Sequence, residues 1–144
     1  MPTTRRECRP TLRLALSDHP TRIGIMDHSK EFLAIVAEAM PLVKEVSVAD
    51  TLDRVKNGAA LIDVREDNEF AAGHASSAEH IGRGVIERDI VSKHPDKAEE
   101  IILYCGGGYR SALAAANLQK MGYTNVWSMA GGWTGWKEAN APTE

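Results

Sequence analysis

The chain has little cysteine, no long apolar run and no excess of positive charge, and each scarcity excludes something. Two cysteines in 144 residues, Cys8 and Cys105, stand far apart in unlike contexts. They form no disulfide framework, and a reducing compartment, the cytoplasm, is the expected home of a reactive thiol. No stretch approaches the roughly 18 consecutive apolar residues that span a bilayer, so no membrane association is expected. The formal net charge of −3 gives no electrostatic case for a nucleic-acid partner. Histidines are few, and His74, His80 and His94 lack the spacing of a ligand set, so no metal is expected. What is present is an apolar fraction of 43%, enough for one domain with a sizeable core.

Charge is uneven along the chain. Residues 1–25 carry five arginines against Glu7 and Asp18, whereas the remainder holds 12 basic residues against 18 acidic ones. The first segment also has Pro2, Pro10 and Pro20 and little apolar periodicity. Three readings are open: a disordered extension, a mis-assigned translation start with Met26 as the true one, or an Arg-rich targeting peptide. The expectation adopted is a disordered or mis-assigned extension over residues 1–25.

From Ser29 the apolar residues Phe32, Ile35, Val36, Ala39, Met40 and Val43 recur at helical spacing, so residues 26–44 are assigned an N-terminal helix, with Pro41 ending or kinking it. Val46-Ser47 reads as a short strand, and Ser47 with Asp50 resembles a capping box at the next helix. Ala60–Val64 is a continuous apolar strand with one acid near its end. Glu66–Ala72 gives one or two helical turns, His80-Ile81 a short strand, and Val85–His94 a helix. Ile101–Tyr104 is the second clear strand, Ser111–Met121 the best helix, Asn125–Met129 a third strand, and Trp133–Glu138 a last helix. Strands alternating with helices predict an α/β domain with a central parallel sheet and helices on both faces. Continuous apolar strands fit burial on both sides of such a sheet.

The most informative segment is Ile101 to Leu113. An apolar strand ends on Cys105, then come Gly106, Gly107, Gly108, Tyr109 and Arg110, then a helix. A helix N-terminus offers unpaired N–H groups and a partial positive charge. A glycine loop feeding it can turn successive N–H groups inward as an anion nest. A thiolate at the centre is itself an anion, and Arg110 adds a cation. The expected product is a nucleophilic sulfur beside a pocket for a small anion, with Cys105 catalytic and Gly106–Arg110 the anion-binding loop. A buried cysteine followed by a simple turn is the plainer alternative, less apt here because strand, glycines, arginine and helix occur together.

Other residues are weaker candidates. Asp63 or Arg65 would line the pocket, or else cap loop N–H groups and pair with a carboxylate, and the structural role is favoured. His74 could serve as a base for Cys105, although a nest makes one unnecessary. Trp133 and Trp136, three apart, fit core or pocket wall.

With these residues in place, the chain resembles the rhodanese family of single-domain sulfurtransferases. Leu61–Arg65 with Glu69-Phe70 and Gly73-His74 is similar to a first signature. Ile102–Arg110 is similar to the active-site segment, Ser111–Gly122 to the helix behind it, and Asn125-Val126 with Gly131-Gly132 and Trp136 to the C-terminal signature. The resemblance covers residues 45–140, taken as a rhodanese-like domain. It departs at Ala75, Ser77-Ala78 and His80. It implies transfer of a sulfane sulfur from a small anionic donor such as thiosulfate, through a persulfide on Cys105, to cyanide, a thiol or a protein acceptor, with no cofactor. Two alternatives are kept: a non-catalytic module that binds sulfide or a partner, and a phosphatase or arsenate reductase on the same scaffold. The resemblance gives those esterases a loop one residue longer, and the six residues from Cys105 to Arg110 favour sulfur.

Overall fold

The computed structural model describes residues 28–144, so the expectation for residues 1–25 lies outside the described residues. Contacts divide the chain into two units, Met1–Leu33 and Ala34–Glu144. The described part of the first opens helix α1 (Lys30–Ala39): Ser29 accepts hydrogen bonds from the Phe32 and Leu33 backbone N–H groups. In the second unit Val36 and Ala39 are buried on α1 while Ile35 faces out, and the helix gives way at Pro41 to a 3₁₀ turn over Met40–Leu42.

Five strands follow: β1 (Lys44–Val46), β2 (Ala60–Asp63), β3 (Glu79–His80), β4 (Ile101–Tyr104) and β5 (Val126–Met129). All pair in parallel, in the order β1-β5-β4-β2-β3. The helices between them are α2 (Val48–Lys56), α3 (Asp67–Ala72), α4 (Ile86–Lys93), α5 (Tyr109–Lys120) and α6 (Gly132–Glu138). Every residue of β4 is fully buried, as its unbroken apolar run requires at the centre of a two-sided sheet. Ile62, Val64, Leu103 and Cys105 share one core with Ile86 and Ile90 of α4 and Ala114, Ala115 and Leu118 of α5. Leu61, Ile102, Tyr104 and Met129 share another with Trp136 of α6 and residues of α2. Alternation along the strands sorts the two sets onto opposite faces.

Several boundaries move for identifiable reasons. Ser47 is not in a strand: its hydroxyl caps α2 by accepting from Asp50 N–H, and the strand before it is Lys44–Val46. No reciprocal contact closes a capping box there, whereas Glu66 and Glu69 do form one at α3. The edge strand is Glu79–His80. Helix α5 starts at Tyr109, not Ser111, because Gly108 takes a left-handed conformation (φ +117°) and turns the chain into the helix at once. The C-terminal residues also join the fold: Ala75 bridges Thr143, and His74 and Glu144 exchange backbone hydrogen bonds of 3.0 and 2.8 Å.

The short strand β3 is fastened from the side. His94, at the end of α4, places Nε2 2.7 Å from Glu79 and Nδ1 3.0 Å from Glu99. Burial works against the imidazolium, but the hydrogen bonds to both carboxylates outweigh it and hold His94 above its ordinary range. A group bound more tightly to its proton in the folded state stabilises fully below the unfolded value of about 6.5, and that contribution is lost as pH rises through the higher folded value. His94→Gln is therefore expected to flatten the decline of Tm above about pH 6.5. Thermal melts from acid to alkaline pH check this; a decline as steep as in the wild type would contradict it.

Candidate active site

Cys105 follows the last residue of β4 and opens the loop to α5, beyond the carboxyl ends of the strands where α/β sheets hold ligands. Its side chain is 1% exposed. The Gly108 N–H donates to Sγ at 3.0 Å, and the Ser111 hydroxyl lies 3.6 Å from the same sulfur. Ser111 is in turn 2.7 Å from the Ser128 hydroxyl, and both serines are fully buried. Ser111 also donates to the Gly108 carbonyl at 3.3 Å, so its one proton has two acceptors within reach, that oxygen and the sulfur. The N–H cradle expected over Gly106–Arg110 is thus one backbone donor at the sulfur, Gly108, with the Ser111 hydroxyl beside it.

The loop is held from behind. Trp133 N–H donates to the Cys105 carbonyl at 2.7 Å and Thr134 N–H to the Gly106 carbonyl at 3.2 Å. These two groups belong to the first turn of α6, whose N–H groups have no partner within the helix. Drawing the loop carbonyls towards α6 keeps their oxygens away from the anion. Gly132, at φ +53°, makes this approach possible. A Cβ there would stand 2.8 Å from the Gly106 carbonyl carbon and closer still to the Cys105 oxygen.

Arg110 is brought to the loop, but it is not a free cation. Its two terminal nitrogens contact the Glu69 carboxylate at 2.8 and 3.3 Å. Glu69 is the main reason Arg110 lies above the ordinary arginine range, with the nearby Cys105 adding to the effect. In return the Arg110 hydrogen bond holds Glu69 below the usual carboxylate range. Gly106 leaves room for this guanidinium, since a Cβ would stand 3.1 Å from Nη2. Gly107 and Tyr109 are exposed at the loop surface.

Asp63 and Arg65 take the structural role. Asp63 is fully buried and accepts from the Arg65 backbone N–H (2.9 Å), Nε (3.0 Å) and Nη2 (2.8 Å). Arg65 Nη2 also donates to the Gly73 carbonyl at 2.7 Å, and its guanidinium lies 4.9 Å from the Trp133 ring centre. Tyr104 completes the group by accepting from Ala75 N–H at 3.0 Å. Burial, then its hydrogen bond to Asp63, pushes the Tyr104 hydroxyl well above its usual range. Tyr104 and Trp133 belong to the core opposite that of Cys105, so this cluster braces the loops after β2 rather than touching the sulfur.

The histidines are likewise occupied. His74 and His80 stack on Phe70 with ring centres 3.7 and 4.7 Å away. His74 Nδ1 contacts the Phe70 carbonyl and His80 Nε2 the Arg65 carbonyl. Trp136 is core, with its indole N–H donating to the Pro142 carbonyl. The sequence reading gave no role in the site to Ser111, Ser128 or Gly132, nor to Glu69 as the partner of Arg110. A lone serine inside the apolar strand Val126–Met129 was the one available signal for Ser128.

A family model described as a rhodanese-like domain matches residues 47–139. The chain is 31% identical over 120 residues to the rhodanese-like domain-containing protein 15, chloroplastic, of Arabidopsis thaliana. That match covers 76% of the chain but only 66% of the plant protein, just under two thirds of its length. It is 34% identical over 97 residues to the thiosulfate sulfurtransferase GlpE of Pseudoalteromonas translucida, covering 67% of this chain and 90% of that one. Among solved structures, the 30 kDa polysulfide-sulfur transferase homodimer of Wolinella succinogenes superposes with a TM-score of 0.69 at 25% identity, covering 79% of this chain and 87% of that chain.

Proposed function

The chain belongs to the rhodanese family, and we propose that it is a sulfurtransferase that carries a sulfane sulfur on Cys105 from a small anionic donor to a thiophilic acceptor. The observation that carries the reading is the sulfur itself, set on the floor of a six-residue loop and met by the Gly108 N–H and the Ser111 hydroxyl. With thiosulfate, the Cys105 thiolate attacks the outer sulfur. The S–S bond of the donor breaks, sulfite leaves with the bonding pair, and Cys105 keeps one sulfur as an anionic persulfide. Cyanide or a thiol then attacks that outer sulfur, and the Cys105 thiolate returns as the leaving group. No electrons are gained from outside and no cofactor is required. A protein thiol is an equally apt acceptor, because the loop glycines offer no side chain to discriminate among them.

The donors around sulfur suit both states of the cycle, since thiolate and persulfide are both anions. No imidazole is needed, because neither half-reaction requires a proton to be removed from the nucleophile once it is a thiolate. The short loop supports sulfur over a tetrahedral phosphate ester. No helix among the described residues is long and apolar enough to cross a membrane. The cytoplasm, where thiols stay reduced, is the compartment that fits this chemistry.

Two half-reactions through a covalent intermediate predict ping-pong kinetics. Thiocyanate formation, measured with thiosulfate and cyanide both varied, is expected to give parallel double-reciprocal lines. Intersecting lines would mean that both substrates must bind together, contrary to this mechanism.

A further inference from the structure

Three arginines follow the carboxyl ends of adjacent strands, and their charges are spent differently. Arg65, after β2, is bound to Asp63. Arg110, after β4, is bound to Glu69. Arg83, after β3, is partly buried, and its Nε is fully enclosed with no hydrogen-bond partner among the described residues. A buried donor left unpaired is costly, and such groups call for a ligand or another specific cause.

The backbone places Arg83 beside the thiol. Beyond β3 the chain continues along the sheet edge: Ile81 N–H donates to the Asp63 carbonyl and Arg83 N–H to the Val64 carbonyl. Val64 N–H in turn donates to the Tyr104 carbonyl, immediately before Cys105. Neighbouring parallel strands are about 4.8 Å apart, so the Arg83 backbone stands two spacings, ~10 Å, from that of Cys105. An arginine side chain covers most of that gap, and a small anion on the sulfur closes it. The strand has ended by here: Arg83 lies in a turn closed by Val85 N–H donating to the Gly82 carbonyl. Ile81 before the turn and Ile86 after it both lie in the core that holds Cys105, so the turn carrying Arg83 is anchored on that side at both ends.

We infer that Arg83 is the anion-binding residue of the pocket: it holds the oxyanion end of the sulfur donor and stabilises the departing sulfite. The inference rests on the sulfurtransferase reading for the identity of the donor. Arg110, neutralised by Glu69, then serves chiefly to shape the loop. The flanking Gly82 and Gly84 leave the guanidinium approachable, and a Cβ at Gly84 would meet nothing.

The test compares Arg83→Gln with the wild type at Cys105, read by peptide mass so that Cys8 does not contribute. Sulfur loading from thiosulfate is expected to slow by about 10- to 100-fold, the usual range for losing a hydrogen bond to a charged group. Alkylation by anionic iodoacetate should slow about tenfold, while alkylation by the neutral, nearly isosteric iodoacetamide should stay within about twofold. Equal slowing of both alkylating agents would make Arg83 a structural residue and overturn the assignment, as would no slowing of either. If the wild type gains no sulfur from thiosulfate yet shows the iodoacetate effect, the sulfurtransferase reading fails while the anion site stands.

Discussion

Cys105→Ser is expected to reduce thiosulfate:cyanide sulfur transfer by at least about a thousandfold, to the uncatalysed background, with little change in stability. The side chain is almost fully enclosed, and a hydroxyl of similar size occupies the same space. It still accepts from Gly108 N–H and contacts Ser111, so the loop stays folded and the folding free energy should shift by no more than about 1 kcal/mol. What is lost is the nucleophile. A serine hydroxyl attacks sulfur only after a base takes its proton, and the imidazoles of His74 and His80 are committed to Phe70, Arg65 and Glu144. Steady-state thiocyanate production together with a thermal melt checks both halves. A serine variant that kept activity would remove Cys105 from the mechanism.

Gly132→Ala is the second large effect, and it acts from outside the loop. At φ +53° a β-carbon already costs about 1–2 kcal/mol. The added atom would also collide with backbone, at 2.8 Å from the Gly106 carbonyl carbon, where no flexible side chain can yield. Relief requires α6 to retreat, which weakens the hydrogen bonds from Trp133 and Thr134 to the Cys105 and Gly106 carbonyls. The expected destabilisation is about 2–4 kcal/mol. A loop displaced by about 1 Å should also lose about a hundredfold in kcat/KM, measured below the melting range. Gly135→Ala, on the same helix, serves as the control, because a Cβ there would make only ordinary contacts, 3.6 Å from Val48. If the Gly132 variant melted and turned over like the Gly135 variant, the loop would not depend on α6 for its shape.

These effects were legible in the sequence to different depths. The strand ending on Cys105, the glycines and the following helix are contiguous, and local backbone chemistry alone predicts a turn that exposes N–H groups. The two-faced sheet was legible as well, because unbroken runs such as Ile101–Tyr104 leave no polar side for solvent. Asp63 read as a cap for loop N–H groups and Arg65 as the partner of a carboxylate, and the fold makes that carboxylate Asp63 itself. Partners far apart in the chain were not. Glu69 meets Arg110 across 41 positions and Ser128 meets Ser111 across 17, distances set by the crossover connections of a parallel sheet. Arg110 therefore read as a free cation when the fold supplies it with a carboxylate. Arg83 gave no signal as a lone arginine between glycines, and it gained meaning only when β3 proved to be the edge strand alongside Val64.

The central claim is that Cys105 carries the transferred sulfur, and intact-protein mass spectrometry tests it most directly. After incubation with thiosulfate and removal of the excess, the wild-type chain should gain the mass of one sulfur atom, located on the Cys105 peptide. Cyanide should then discharge it, with thiocyanate released in equal amount. An unchanged mass, or a sulfur that still appears in Cys105→Ser, would contradict the account.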